Sequence, residues 1–140
     1  MTYIPPEKLA DDAKNVLEEL NERTEPLKPK DRMAIPAQEM PSQDPEDRRS
    51  NMNEVALGYT AEQAKLEAER CLQCKTAPCI AGCPVAIDIP GFIQAIADED
   101  NQKAIDIIKE SSLLPAVCGR VCPQETQCQA PCTVGKALKS

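Results

Sequence analysis

The chain has 140 residues, a net charge of −7 and 13 prolines, but no histidine, no tryptophan and only Tyr3, Tyr59 and Phe92 as aromatics. That length holds one domain plus an extension, and so few aromatic side chains cannot supply the usual bulk of a self-supporting core. Lysines and arginines gather in no basic stripe, which excludes a nucleic-acid binder, and no apolar run approaches the ~20 residues of a membrane span.

The segment from Met1 to Pro6 lacks the basic and apolar regions of a signal peptide. Cytoplasm is therefore the expected compartment, where thiols stay reduced. Residues 5–23 read as an amphipathic helix, with Pro5 and Pro6 in its first turn and Leu9, Ala13, Val16, Leu17 and Leu20 in one stripe. Residues 1–25 thus form an N-terminal helix. Five prolines between Pro26 and Pro45 predict an extended segment over 26–58, either a flexible linker or a strap on another surface. The acidic excess sits in this half: residues 1–70 carry 16 acidic and 10 basic side chains, residues 71–140 only 7 and 6.

Thr60-x-x-Gln63 is a capping box and starts a second helix, which runs through Ala61, Ala64, Ala68 and Arg70 to deliver Cys71 at its end. Asp88 and Pro90 open a third, with Phe92, Ile93 and Ile96 facing inward. Asn101 caps a fourth, with Ala104, Ile105 and Ile108 at helical spacing and Pro115 beyond its end. No strand pattern is present. The expected fold is all-α with irregular cysteine loops.

All eight cysteines fall in two runs, Cys71-x2-Cys74-x4-Cys79-x3-Cys83-Pro84 and Cys118-x3-Cys122-Pro123-x4-Cys128-x3-Cys132. Disulfides, zinc and iron–sulfur clusters are the possible partners. A reducing compartment disfavours four disulfides. Structural zinc usually joins two short C-x2–4-C knuckles. Each run here packs four cysteines together with a Cys-Pro step, close to the ferredoxin run C-x2-C-x2-C-x3-C-P whose fourth cysteine ligates the other cluster. Two 4Fe–4S clusters are the preferred reading, with zinc as the alternative. Nothing else offers comparable chemistry: Gly119 and Gly135 are isolated rather than part of a phosphate loop, and a redox Cys-x-x-Cys at Cys71/Cys74 sits among too many other thiols. Arg120, near Cys122, is either a charge that raises a cluster potential or an ordinary surface arginine.

The strings AERCLQCKTAPCIAGCPVAIDIPGFI and LLPAVCGRVCPQETQCQAPC resemble the N-terminal cluster domain of NADPH-dependent glutamate synthase small subunits. They are also similar to the NADH-dependent ferredoxin:NADP oxidoreductase large subunit and the N-terminus of dihydropyrimidine dehydrogenase. Upstream, QDPEDRRSNMNEVALGYTAEQAKLEAERC resembles the same group, through Gln43, Pro45, Arg48 or Arg49, Asn51, Glu54, Val55, Gly58 and Tyr59. Met52 stands where that group commonly has Phe. The resemblance covers about residues 32–136 and implies an α-helical ferredoxin-like domain over 59–140 with two 4Fe–4S clusters between flavins. It implies Cys71, Cys74, Cys79 and Cys132 on one cluster. The other takes Cys83, Cys122 and Cys128, with a fourth ligand from a polar residue downstream of Ser140 or from Cys118.

The implied function is electron relay in a flavin- and NAD(P)H-dependent oxidoreductase, most similar to the glutamate synthase small subunit. FAD and NADPH would belong to domains that this chain lacks, so it is expected to be a truncated piece with no catalysis of its own. Its expected partners are the flavin domain of a longer chain and a partner oxidoreductase subunit. The alternative is a stand-alone ferredoxin-like carrier that docks onto a separate flavoprotein.

Overall fold

The computed structural model describes residues 3–137 and is helical, with no strand among those residues beyond one isolated antiparallel bridge, Ser42 to Ala56. The chain divides into two compact units, residues 1–67 and 68–140.

In the first unit, α1 spans Pro6–Asn21, slightly shorter than the 5–23 expected. Pro6 sits where a missing N–H is harmless. Its apolar stripe meets Ile35 and Leu66: Ala13, Ile35 and Leu66 are 1, 4 and 0% exposed, with Val16, Leu17, Leu20 and Leu27 packed around them. Ile35 arrives by a device that proline counting concealed. The proline-rich stretch is not extended throughout, because Pro29 opens a short helix, α2 (Pro29–Ala34), instead of blocking one. Asp31 accepts the Lys28 backbone N–H at 3.0 Å and pairs with Arg23 at 3.2 Å. That N–H, then the Arg23 charge, hold the Asp31 carboxyl below its ordinary range despite some desolvation.

After α2 the chain is clasped rather than loose. Gln43 N–H donates to Val55 O (2.9 Å) and Leu57 N–H to Pro41 O (2.8 Å). Gln43 Nε2 donates to Glu54 O, and Asn51 Nδ2 donates to Gln43 Oε1 and Asp47 O. A 3-10 turn, Asp47–Arg49, lies within this clasp. Gly58 turns the chain at φ +83°, a conformation that favours glycine.

Helix α3 (Ala61–Glu69) starts as the capping box requires: Gln63 N–H donates to Thr60 Oγ1 at 3.3 Å and Thr60 N–H to Gln63 Oε1 at 3.1 Å. Gln63 is fully buried and spends its Nε2 on Glu39 O. Glu67 accepts the Gln38 N–H at 2.6 Å and Tyr59 donates its hydroxyl to Gln38 O at 3.0 Å. Segment 38–39 is therefore held by three polar side chains, two from α3 and Tyr59 just before it.

The second unit contains α4 (Pro78–Ala81), α5 (Ile89–Ala97), α6 (Asn101–Ser111), α7 (Pro115–Val121) and α8 (Thr133–Ala137). Asp88 caps α5 by accepting the Gly91 N–H at 3.1 Å. The cap of α6 differs from the sequence reading by one residue. Asp100 accepts the Lys103 N–H at 3.0 Å, and Asn101 is the first helical residue. Helices α5 and α6 pack on each other across residues 98–100, where Glu99 adopts φ +62°. Phe92, Ile93 and Ile96 are only half-buried. Among the described residues of this unit the buried hydrophobics are Ala68, Ala95, Ala97 and Ala104, all alanines.

Candidate metal centre

Each cysteine is set by a local backbone device. Cys71 leaves α3 with its N–H on Ala68 O at 3.1 Å, following Arg70, which is only 7% exposed. Gln73 turns at φ +48° and anchors the loop to α5 by donating Nε2 to Pro90 O at 3.1 Å. Ala77 closes the Cys74 turn (N–H to Cys74 O, 3.1 Å) at φ +36°, so that Pro78 can start α4 with Cys79 on it. Cys83 N–H bonds Ile80 O at 3.0 Å, and Ala86, at φ +52°, bonds Cys83 O. Gln73 and Ala77 within the first cysteine run, and Ala86 just after it, are non-glycine residues in the left-handed region and store strain on the order of 1–2 kcal/mol each. Such strain persists only where other bonds hold it.

In the second run Cys118 lies within α7, and its Sγ is 3.9 Å from Oγ of the buried Ser112. Cys122 ends the helix in an extended conformation, its N–H on Cys118 O, and is the exposed member of the set. Its thiol donates to Gln127 Oε1 at 3.3 Å. A 3-10 turn, Gln124–Thr126, leads into Cys128. Cys132 N–H bonds Gln129 O at 3.1 Å, and Cys132 O accepts the Lys136 N–H at the start of α8. Arg120 donates Nη1 to Ala116 O of its own helix at 2.9 Å.

Two thiols, Cys79 and Cys128, feel the charge of a cysteine from the other run. Burial first, then the charges of Cys132 and Cys71, push the Cys79 thiol above its ordinary range against two backbone N–H groups. Burial first, then Cys83 and Cys122, push Cys128 up. The backbones also touch. A Cβ on Gly82 would stand 2.7 Å from Gln127 O, 3.0 Å from Pro131 Cγ and 3.2 Å from Cys128 Cα. Gly135 makes a similar close approach, 2.7 Å from Gln129 O. Only glycine permits either packing. The sequence reading passed over Gly82, Gln127 and Ser112; the sole hint was Gly82 standing immediately before a Cys-Pro step.

Among the described residues no group of three or more Cys, Asp or Glu side chains converges on a single metal ion. A four-iron cluster asks for something else: separate thiolates at separate corners, supplied by soft sulfur ligands. Eight free, mostly half-buried thiols with no competing histidine fit that demand.

Residues 48–140 match the protein family described as dihydropyrimidine dehydrogenase domain II, 4Fe-4S cluster. A homologue of the NAD-dependent dihydropyrimidine dehydrogenase subunit PreT from Salmonella typhi is 43% identical over 82 residues, 59% of this chain and 20% of that protein. The glutamate synthase [NADPH] small chain of Azospirillum brasilense is 31% identical over 99 residues, 70% of this chain and 20% of its own length. The corresponding chain of Halomonas elongata is 35% identical over 97 residues, covering 66% and 21%. The chain thus spans about a fifth of these relatives.

Proposed function

The chain belongs to the dihydropyrimidine dehydrogenase domain II, 4Fe-4S cluster family, and from that membership we propose that it relays electrons through two clusters. Cys71, Cys74, Cys79 and Cys132 hold the first. Cys83, Cys122 and Cys128 supply three ligands of the second. What supports this crossed scheme is that, after burial, the charge of Cys132 raises Cys79 and that of Cys83 raises Cys128, each acting from the other run. The Gly82 contact with Gln127 and Cys128 supports it independently. The fourth place at the second cluster goes to a ligand other than Cys118, whose Sγ lies 3.9 Å from Ser112 Oγ.

A bound 4Fe–4S cluster supplies one-electron redox chemistry. The residues of this chain fix the sulfurs, keep most of them half-buried, and leave Cys122 exposed on the side where a partner can approach. The relatives' names include an NADPH-dependent and an NAD-dependent oxidoreductase component. The relay therefore serves a nicotinamide-dependent enzyme of the glutamate synthase small-chain kind, passing electrons between flavins carried elsewhere, with FAD and NADPH bound outside residues 1–140. In that scheme the cluster domain is residues 59–140, following in sequence the helix of 1–25 and the linker or strap of 26–58, in a reducing cytoplasm. No helix among the described residues is long and apolar enough to cross a membrane.

A second reading, a ferredoxin-like carrier for a separate flavoprotein, is favoured by one observation. Leu113, Leu114, Val117 and Val121 are 93, 63, 50 and 71% exposed along the α6–α7 corner beside Cys118 and Cys122. Iron and acid-labile sulfide analysis of anaerobically purified protein tests the shared claim. About eight irons and eight sulfides per chain are expected for two cubanes. Zinc without sulfide overturns both readings.

A further inference from the structure

The two cysteine runs meet at Gln127. Its backbone follows the Gln124–Thr126 turn, with its N–H on Gln124 O at 3.2 Å. Its carbonyl oxygen packs where Gly82 leaves room for it, one residue before Cys83, and Cys128 follows it directly. The main chain is thus pinned between residues of both runs. From there the half-buried side chain reaches back to Cys122, Oε1 lying 3.3 Å from Sγ.

That contact suits a free thiol, which donates weakly to an amide oxygen. A sulfur bound to iron has lost its proton and can only accept. A primary amide carries both a donor and an acceptor, and turning it end for end exchanges them without moving the backbone. Glutamine therefore serves either state of Cys122 from one position. Glutamate could serve only the thiol, and leucine neither.

We propose that Gln127 sets the potential of the second cluster, its amide N–H donating to the Cys122 sulfur once that sulfur is an iron ligand. The inference rests on the reading of Cys122 as a ligand. Reduction adds negative charge that spreads onto the sulfurs, so a donor there stabilises the reduced form and raises the potential. Cys122 is the exposed cysteine, whose surroundings a docked partner would change most. Gln127 acts through that sulfur and is a positioning residue, not a ligand.

The test uses the full chain purified anaerobically, with iron counts and an EPR-monitored redox titration of both clusters. Gln127→Leu is expected to leave iron and sulfide content unchanged, lower one midpoint potential and leave the other in place. Gln127→Glu is expected to lower the same potential further, because a carboxylate adds charge and donates nothing. Cys122→Ser is the control and is expected to lose iron from that same cluster. If it does, and neither Gln127 variant moves a potential, the inference is overturned while the ligand scheme stands. Loss of iron in both Gln127 variants also overturns it, since Gln127 would then be holding the cluster or its loop. If Cys122→Ser keeps its full iron content, the ligand reading fails and takes the inference with it.

Discussion

Residues 3–67 and 68–137 are of similar length, yet they are held together by different means. The first unit has a small conventional core in which Leu66 and Ile35 are almost wholly removed from water, closed by polar clasps at Gln43, Asn51 and Gln63. The second buries no hydrophobic residue larger than alanine among those described, and instead carries all eight cysteines. Burying an alanine methyl yields under about 1 kcal/mol, against 1.5–3 kcal/mol for a leucine. A unit built on alanines must take its cohesion from elsewhere. In the cysteine half the proposed source is metal–thiolate bonding, where binding energy is folding energy.

The largest effect that separates the units is loss of iron. Chelation or oxidative loss of the clusters should abolish cooperative unfolding of residues 68–137. Amides of the first unit that lie in α1 and α3 should keep measurable protection in hydrogen exchange. Native-like amide dispersion from Cys71 to Cys132 in metal-free protein would show the alanine core to be sufficient.

The converse substitution should spare the metal. Leu66→Ala removes the most buried large side chain of the first unit, and should destabilise it by about 2–5 kcal/mol with iron content unchanged. Chemical denaturation followed at Tyr3 or Tyr59, together with an iron count, reads both halves of that statement.

Gly82→Ala should act the other way. Its new methyl would meet the Gln127 carbonyl oxygen at 2.7 Å, a backbone atom that cannot swing aside. Overpacking of this kind costs about 1–3 kcal/mol. Because the contact joins the two cysteine runs, faster iron release to a chelator should accompany it. An unchanged release rate would mean that the runs hold their positions without that close approach.

The smallest effect concerns the cap of α6. Asp100→Ala should cost about 1 kcal/mol of the second unit's stability. Asn101→Ala should cost little, since Asn101 offers no cap in the structure.

That last pair shows where sequence reasoning stops. Spacing placed the cap at Asn101, whereas in the structure its neighbour Asp100 accepts the Lys103 N–H. The Thr60/Gln63 box was legible because its two partners occupy fixed positions in a local pattern. The complete burial of Gln63 was not, since it depends on Glu39, 24 residues away. Prolines between Pro26 and Pro45 suggested extension, yet Pro29 sits at a helix start, where proline is welcome, and the helix it opens leads to the buried Ile35. The cysteines declared cluster chemistry by their spacing. The proposed grouping of the cysteines came only through resemblance, because ligand sets that cross between runs would be a tertiary property that spacing does not carry. Gly82 and Gln127, the residues at that crossing, carried no periodic or motif signal of their own.

Single serine substitutions at Cys71, Cys83 and Cys132, with the surviving cluster of each variant identified by EPR, separate the crossed ligand scheme from one cluster per run. Cys71→Ser and Cys132→Ser are expected to lose the same cluster, although 61 positions separate them in the chain, while Cys83→Ser loses the other. Loss of one and the same cluster from Cys71→Ser and Cys83→Ser would contradict the crossed scheme and assign each run a cluster of its own.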